Sequence, residues 1–450
     1  MKRATLTPNR SEIVKHTPRA VACIAILCLW AAGVAGAGLN DYVRRPDHTY
    51  AFRIDSTQPF AAGTVFFVDM TSQTWQNIPW RHWLSIFRPA EIAHPDKALL
   101  LIGGGNNNAD RPDTQSDEAR ILAMIAQQQK VVVAVLEQVP NQPLFDGMYE
   151  DAIISFTFER FLRGDGDDWP LLLPMTKSAV RAMDTVQAIA KQHCNQDIKK
   201  FVVTGASKRG WTTWLTAVAD PRVAAIAPMV IDVLNMGPQM AHQKSVYGAY
   251  SQQVHDYTQR GIQEHMHNPD GQRLLNIVDP YAYRNQLTLP KLIILGTNDE
   301  YWTADSAKLY FNDLRGPKFL HYEPNAGHGL SLNIVPVVMA FLNAAITSQT
   351  LPKFNWRTLD DGTFEVTWDH PEGAPVLWQA RSPNRDFRNA KWNSTPLPGT
   401  HKVQVNIPPP EHGWTAYYIQ VTFPIMLEGR PVRYPLSTLM QVVPDVYPEH

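Results

Sequence analysis

Ser207, Asp299 and His328 are the residues of this chain whose types and order suit acyl transfer. A serine hydroxyl is a poor nucleophile until a base takes its proton, and an acid must hold that base in one tautomer. Ser207 lies in Gly205-Ala206-Ser207-Lys208-Arg209-Gly210-Trp211, directly after the apolar run Phe201-Val202-Val203-Thr204. That order reads as strand, sharp turn, helix, with the serine hydroxyl lifted clear at the tip of the turn. The usual signature is G-x-S-x-G; here Arg209 holds the fifth position and the glycine follows one place later. Taken alone, Ser207 reads equally well as a helix N-cap. Asp299 follows the run Leu292 to Leu295 in Gly296-Thr297-Asn298-Asp299-Glu300-Tyr301-Trp302, where Glu300 competes with it for the role of acid. His328 sits between Gly327 and Gly329, past the short strand Phe319 to Tyr322. The order serine, acid, histidine, with 92 residues between the first two and 29 between the last two, is that of α/β-hydrolases.

Acyl transfer also needs donors aimed at the developing oxyanion. The backbone N–H of Lys208 is one candidate. Gly103-Gly104-Gly105-Asn106, after an earlier strand, supplies others, since glycines let a substrate approach the backbone closely. A phosphate-binding loop is the weaker reading of these glycines, because no lysine or dinucleotide spacing follows. Lys208 adds its side-chain charge to the site or is solvated on the first helical turn. Arg209 is a candidate anchor for a lid carboxylate, and Trp302 is an aromatic candidate for substrate contact. His242 and His265-Met266-His267 form a weak metal pattern without cysteines or paired carboxylates nearby. No metal or cofactor is expected.

These residues require strands whose carboxyl ends meet. From Lys97 onward, apolar strands alternate with amphipathic helices: Ala98 to Ile102, Val131 to Leu136, Lys200 to Thr204, Val223 to Val230, Lys291 to Leu295 and Lys318 to Tyr322. Such a pattern predicts a mostly parallel sheet with helices on both faces. Asp305 to Leu314 and Leu330 to Ile346 read as helices. Gly63 to Met70 is an earlier strand, whereas Trp80-Arg81-His82-Trp83 shows little periodicity. Two polar, aromatic stretches, 141–174 and 232–289, interrupt the rhythm and are expected to be lid insertions. After Pro352 the pattern becomes strict alternation, as in Thr363 to Trp368, Lys402 to Ile407 and Ala416 to Val421, with Val376 to Ala380 and Ser437 to Val443 as further strands. Residues 351–450 therefore read as an all-β sandwich of fibronectin or immunoglobulin type, a packing or binding module, and 38–350 as the α/β-hydrolase domain.

Lys2, Arg3, Arg10, Lys15 and Arg19 precede an apolar run from Ala20 to Val34 that ends in Ala35-Gly36-Ala37. This reads as a secretory signal over residues 1–37, with a retained anchor as the alternative. Its removal takes away those five cations and Glu12, moving the net charge from −1 to −5. Only Cys194 remains beyond it, so no intramolecular disulfide forms, which fits a bacterial periplasm or outer surface. At 44% apolar and 18% charged, the chain is an ordinary globular one, with no basic field for nucleic acid.

The elbow segment, Asp220-Pro221-Arg222-Val223, Pro228 to Met236 and Gln138 to Leu144 together resemble the PhoPQ-activated pathogenicity-related protein family across roughly residues 40–440. The resemblance implies an exported protein similar to α/β-hydrolases and supplies no substrate. The elbow spacing, with a basic residue after the serine, also resembles glucuronoyl esterases over that segment alone. The expected activity is that of a secreted serine hydrolase on a small-molecule, glycan or peptide substrate, with no nucleic acid and no membrane span after signal cleavage. A binding or signalling protein on a hydrolase scaffold is the alternative.

Overall fold

The computed structural model describes residues 38–427 and 429–450. The expected signal segment and its Cys23 and Cys28 lie outside them. Among the described residues no helix is long and apolar enough to cross a membrane.

Nine strands form one sheet: β1 (Ala51–Pro59), β2 (Gly63–Trp75), β3 (Ile78–Pro89), β4 (Lys97–Ile102), β5 (Val132–Leu136), β6 (Lys200–Ala206), β7 (Val223–Met229), β8 (Lys291–Gly296) and β9 (Lys318–Glu323). Their order is β1-β2-β3-β5-β4-β6-β7-β8-β9. The first three make an antiparallel meander joined antiparallel to β5, and every pairing from β5 to β9 is parallel. This is the α/β-hydrolase fold, a mostly parallel sheet with an antiparallel edge. Strands β4 to β8 are mainly apolar because both faces are covered there, whereas the edge strand β1 alternates with exposed residues. Adjacent residues split between two cores: Leu100, Ala134 and Val203 face one, while Leu99, Val133 and Val202 face the other.

The helices are α1 (Leu39–Arg44), α2 (Asp117–Gln129), α3 (Glu150–Leu162), α4 (Leu172–Cys194), α5 (Lys208–Ala219), α6 (Met236–Tyr247), α7 (His255–Thr258), α8 (Ile262–His265), α9 (Pro269–Val278) and α10 (Ile334–Thr347). Helices α4 and α5 contribute Val186 and Trp214 to the first core, and α2 and α10 contribute Leu122 and Phe341 to the second. The stretch 141–174 contains α3, and 232–289 contains α6 to α9. After β4 the chain crosses to β5, then returns to add β6 on the other side of β4. Strand order reverses there, and open α/β sheets place their ligands at the carboxyl ends of the strands at such a point.

The C-terminal region is all β and antiparallel. One sheet holds β10 (Phe354–Thr358), β11 (Phe364–Trp368) and β14 (Lys402–Val405). The other holds β12 (Ala374–Ser382), β13 (Asn393–Pro396), β15 (Trp414–Leu427) and β16 (Arg430–Ser437), with β17 (Gln441–Val443) on β15. Phe364 of the first sheet meets Tyr417 of the second edge-on, with ring centroids 5.9 Å apart.

Three local expectations differ from the structure. Trp80 to Trp83 lies inside β3. Alternation is hidden there because His82 is buried, held by Ser72 Oγ at 3.0 Å and the Glu137 carbonyl at 2.9 Å. Asp305 to Leu314 is two short 3₁₀ turns, Ser306–Leu309 and Phe311–Asp313, and not a continuous helix. The Asp305 carboxylate, well placed by sequence to cap a helix, is taken by His242 at 2.8 Å and Arg385 at 3.1 Å. Ser437 to Val443 splits between β16 and β17.

Candidate active site

Ser207 stands at the carboxyl end of β6, immediately before α5, with φ +57° and ψ −130°. That backbone region is strained for a side chain and is tolerated where the surroundings over-determine it. Here the Ser207 N–H donates to the Met229 carbonyl of β7 at 2.8 Å, and its own carbonyl accepts from Trp211 N–H at 3.0 Å. The Ser207 side chain makes no cap hydrogen bond, so it is not serving as a helix N-cap.

The irregular spacing of the elbow has a steric reason. A Cβ on Gly205 would lie 2.7 Å from the Arg209 carbonyl oxygen, so this glycine lets the first turn of α5 pack closely against the end of β6. A Cβ on Gly210 would lie 2.8 Å from Ile231 Cγ2 and 2.9 Å from the Met229 carbonyl oxygen. The glycine that seats the helix against the neighbouring strand is therefore Gly210. Gly210→Ala is expected to push α5 off β7 and to cost about 1–3 kcal/mol, as overpacking does. Urea denaturation measures it, and a cost below about 0.5 kcal/mol would contradict the close packing.

The three sequence-predicted residues are brought together. His328 Nε2 lies 2.8 Å from Ser207 Oγ, and His328 Nδ1 lies 2.9 Å from Asp299 Oδ2 and 3.1 Å from Oδ1. Asp299 is buried and also accepts from the Tyr301 N–H at 2.9 Å. The Tyr301 ring lies against the imidazole, with centroids 4.2 Å apart and planes at 35°. Glu300, the competing acid, instead accepts the His328 backbone N–H at 2.8 Å and so holds the histidine loop.

Gly104 lies beside the elbow, since a Cβ there would come within 2.8 Å of Arg209 Nη2. Gly105 has φ +119°, a conformation open to glycine, and its carbonyl accepts from Gln142 Nε2 at 3.0 Å. Asn106 is taken up locally: its carbonyl accepts from Gln138 Nε2 at 2.9 Å and its Oδ1 from Asn108 N–H at 3.0 Å. Lys208 is not solvated on the first turn of α5. Its side chain is 7% exposed, with Nζ 2.7 Å from Glu150 Oε2 and 3.6 Å from Asp151 Oδ2.

Arg209 pairs with a carboxylate of the 141–174 insertion, Glu150. Its Nη1 and Nη2 donate to Glu150 Oε2 and Oε1 at 2.8 and 2.6 Å, and its Nε to the Val139 carbonyl at 2.5 Å. Glu150 opens α3 with φ +52° and is locked by Gln142, which accepts its N–H at 2.8 Å and donates to Oε1 at 2.6 Å. Burial alone would raise the Glu150 carboxyl, yet Arg209 and then Lys208 hold it down at about 2. One carboxylate thus ties the elbow, α3 and, through Gln142, the Gly105 loop. Sequence reading missed Glu150. The available signal was an acidic pair opening a helix in the insertion, complementary to Lys208-Arg209.

Beside Ser207 and His328 lies a cavity of about 60 Å³. Ile231, Met236 and Met240 line it from the end of β7 and from α6, with Trp211 and Trp302 from either side. Asp151 faces it too, but its oxygens already accept from Tyr257 at 3.0 Å and Tyr301 at 3.4 Å. Trp302 Nε1 and Gln263 Oε1 are buried without a partner among the described residues. Behind these three residues, the C-terminal region grips the loops that carry Asp299 and His328. Asn298 donates to the carbonyls of Phe387, Arg388 and Ala390 at 3.2, 3.1 and 2.7 Å, and Asn325 exchanges two hydrogen bonds with the Trp392 backbone. His242 is engaged by Asp305 and Tyr447, and His265 Nδ1 by Asn268.

Asp232, at the end of β7, is buried against the Tyr310 hydroxyl at 2.5 Å. Burial raises its carboxyl from 3.8 to about 7, against the Tyr310 hydrogen bond and with help from the charges of Asp299 and Asp305. The folded state therefore holds a proton that the unfolded state releases, and stability falls as pH rises between about 4 and 7. Asp232→Asn removes that dependence. The variant should gain on the wild type by up to about 1.4 kcal/mol per pH unit through that window, read from urea melts at several pH values. A difference that stays flat would refute it.

The PhoPQ-activated pathogenicity-related protein family matches residues 39–388. Autocrine proliferation repressor protein A of Dictyostelium discoideum is 32% identical over 94% of this chain and 94% of its own length. Among solved structures, an acetyl xylan esterase from Paenibacillus sp. R4 is 14% identical and covers 67% of this chain and 90% of its own, at a TM-score of 0.47. A glucuronoyl esterase from Solibacter usitatus is 13% identical over 67% of this chain and 87% of its own, at a TM-score of 0.39.

Proposed function

The chain belongs to the PhoPQ-activated pathogenicity-related protein family, and from that premise we propose that it is a serine hydrolase cleaving an ester or amide. The observation that carries the proposal is the continuous hydrogen-bonded path Ser207–His328–Asp299, with links of 2.8 and 2.9 Å, assembled from three separate strand ends. In this reading Ser207 Oγ attacks the carbonyl carbon while His328 Nε2 takes its proton. The imidazolium is stabilised by Asp299 across Nδ1–H. The backbone N–H groups of Lys208 and of Gly104 or Gly105 are assigned to the oxyanion, and Trp302 to substrate contact. His328 then protonates the leaving group, and water enters by the reverse of the same steps to free the acid.

We place the reaction outside the cytoplasm, on the strength of the signal-like residues 1–37. A fluorophosphonate probe tests the proposal: Ser207 should be labelled in the folded protein, and labelling should vanish in Ser207→Ala. A folded protein left unlabelled at Ser207 would sink it.

A second reading draws on the name of the Dictyostelium relative, a proliferation repressor. In it, the hydrolase scaffold presents a signalling surface. Ser207→Ala separates the two, since a signalling role independent of hydrolysis keeps the cellular phenotype in that variant.

A further inference from the structure

The cavity beside Ser207 is built almost wholly from carbon, and the insertion between β7 and β8 supplies most of its wall through Met236, Met240, Val254, Ile262 and Met266. An apolar wall gains from burying an apolar group and offers a sugar's hydroxyls no compensation for lost water. The charged and phenolic groups at its edge are already engaged. Asp151 accepts from Tyr257 and Tyr301, and Lys208 pairs with Glu150. Among the described lining residues, only Trp302 Nε1 and Gln263 Oε1 are buried side-chain atoms without a partner.

The wall is tied in place from behind. Trp211 Nε1 donates to the Val278 carbonyl at the end of α9 at 2.6 Å. Arg260 pairs with Glu159 of α3 at 2.6 Å, and Asp279 accepts the N–H groups of Asn235 and Met236 at 3.2 and 2.9 Å. A wall cross-linked in this way does not yield freely to a longer occupant. At about 60 Å³ the cavity holds roughly four to six water-sized groups.

Resting on the serine hydrolase reading, we propose that this cavity is the acyl pocket and that the enzyme selects compact, mainly apolar acyl groups of up to about four to six heavy atoms. Long fatty acyl chains and sugar acids are excluded from it. The selected substrates are short-chain acyl esters, or amides of small aliphatic acids.

The test uses p-nitrophenyl alkylphosphonates whose alkyl group on phosphorus is methyl, butyl or decyl. Ser207 Oγ forms the new O–P bond, its proton passes to His328, and p-nitrophenolate leaves and is counted by its colour. Mass spectrometry confirms the adduct on Ser207. The expected result is labelling at least about tenfold faster with methyl or butyl than with decyl. Met240→Ala and Ile262→Ala, each deepening the pocket, should raise the decyl-to-butyl ratio about tenfold. Decyl labelling as fast as butyl in the unmodified protein would overturn the pocket while leaving the hydrolase reading intact. Absence of Ser207 labelling by all three in folded protein would overturn both. The chain-length series in the unmodified protein decides the matter even where a cavity variant fails to fold.

Discussion

Ser207→Ala is expected to abolish hydrolysis, lowering kcat by about 10⁵-fold or more, with the fold retained. The size follows from the geometry: removing the nucleophile leaves His328 Nε2 facing no hydroxyl, and no acyl-enzyme forms. His328→Ala should cost a similar factor, and the double variant little more than either single one, because the two act as a unit. Asp299→Asn should cost about 10⁴-fold, because an amide in that place favours the wrong imidazole tautomer. Steady-state kinetics on short-chain p-nitrophenyl esters give these values, with circular dichroism as the check on folding. Additive losses, or a Ser207→Ala variant that keeps a tenth of the activity, would remove Ser207 from the mechanism.

The second large effect falls on Glu150. Its replacement by alanine takes the carboxylate from Arg209 and leaves Lys208 only the longer pair with Asp151; the two side chains are 13% and 7% exposed. Breaking a fully buried pair costs about 3–5 kcal/mol. The Glu150 carboxylate is 36% exposed and partly screened by water, so the expected loss is about 2 kcal/mol. Glu150→Gln keeps the shape and one link to Gln142 and should lose less. The pH dependence has a definite sign. With the folded carboxyl held at about 2, below its ordinary 4.5, its contribution is full above about 4.5 and fades as pH falls through 2. Urea melts should therefore show a wide gap between wild type and Glu150→Gln at neutral pH and a narrow one near the acid limit. Because Gln142 also links Glu150 to the Gly105 carbonyl, kcat should fall several-fold with KM nearly unchanged. A double-mutant cycle with Arg209→Ala isolates the pairwise share, and a coupling near zero would show that the clamp is incidental.

The Asn298 contacts give the C-terminal region a place in the same logic. Three carbonyls of one C-terminal loop converge on the residue preceding Asp299, so the region buttresses the acid and the histidine loop. Its strands β11, β12, β14 and β15 were readable, because antiparallel pairs with one buried face leave a period of two, whereas β13 and most of β16 were not. Its docking partner was not readable, because a single asparagine in a strand-end loop carries no mark of what it will bind.

Much of the site was legible for a related reason. Fully buried parallel strands must be continuously apolar, so their ends are marked in the chain, and Ser207, Asp299 and His328 each follow such an end. Gly210 likewise declared itself as the substitute for the missing motif glycine. Trp80 to Trp83 and Asp305 to Leu314 were misleading, because a buried His82 and a requisitioned Asp305 obey partners far away in the chain.

Order and spacing were thus enough to determine that Ser207, His328 and Asp299 would meet at the carboxyl edge of one sheet. Period and composition are local properties, and strand topology converts them into a common edge. Only the folded chain decided what surrounds them. Glu150, 58 residues before Lys208 and 59 before Arg209, becomes their counter-ion because the 141–174 insertion returns to the elbow. The apolar cavity likewise draws Met240 and Ile262 to the serine from one insertion and Trp302 from beyond it. Contacts between residues so far apart depend on how loops close in space, and no periodicity records that closure.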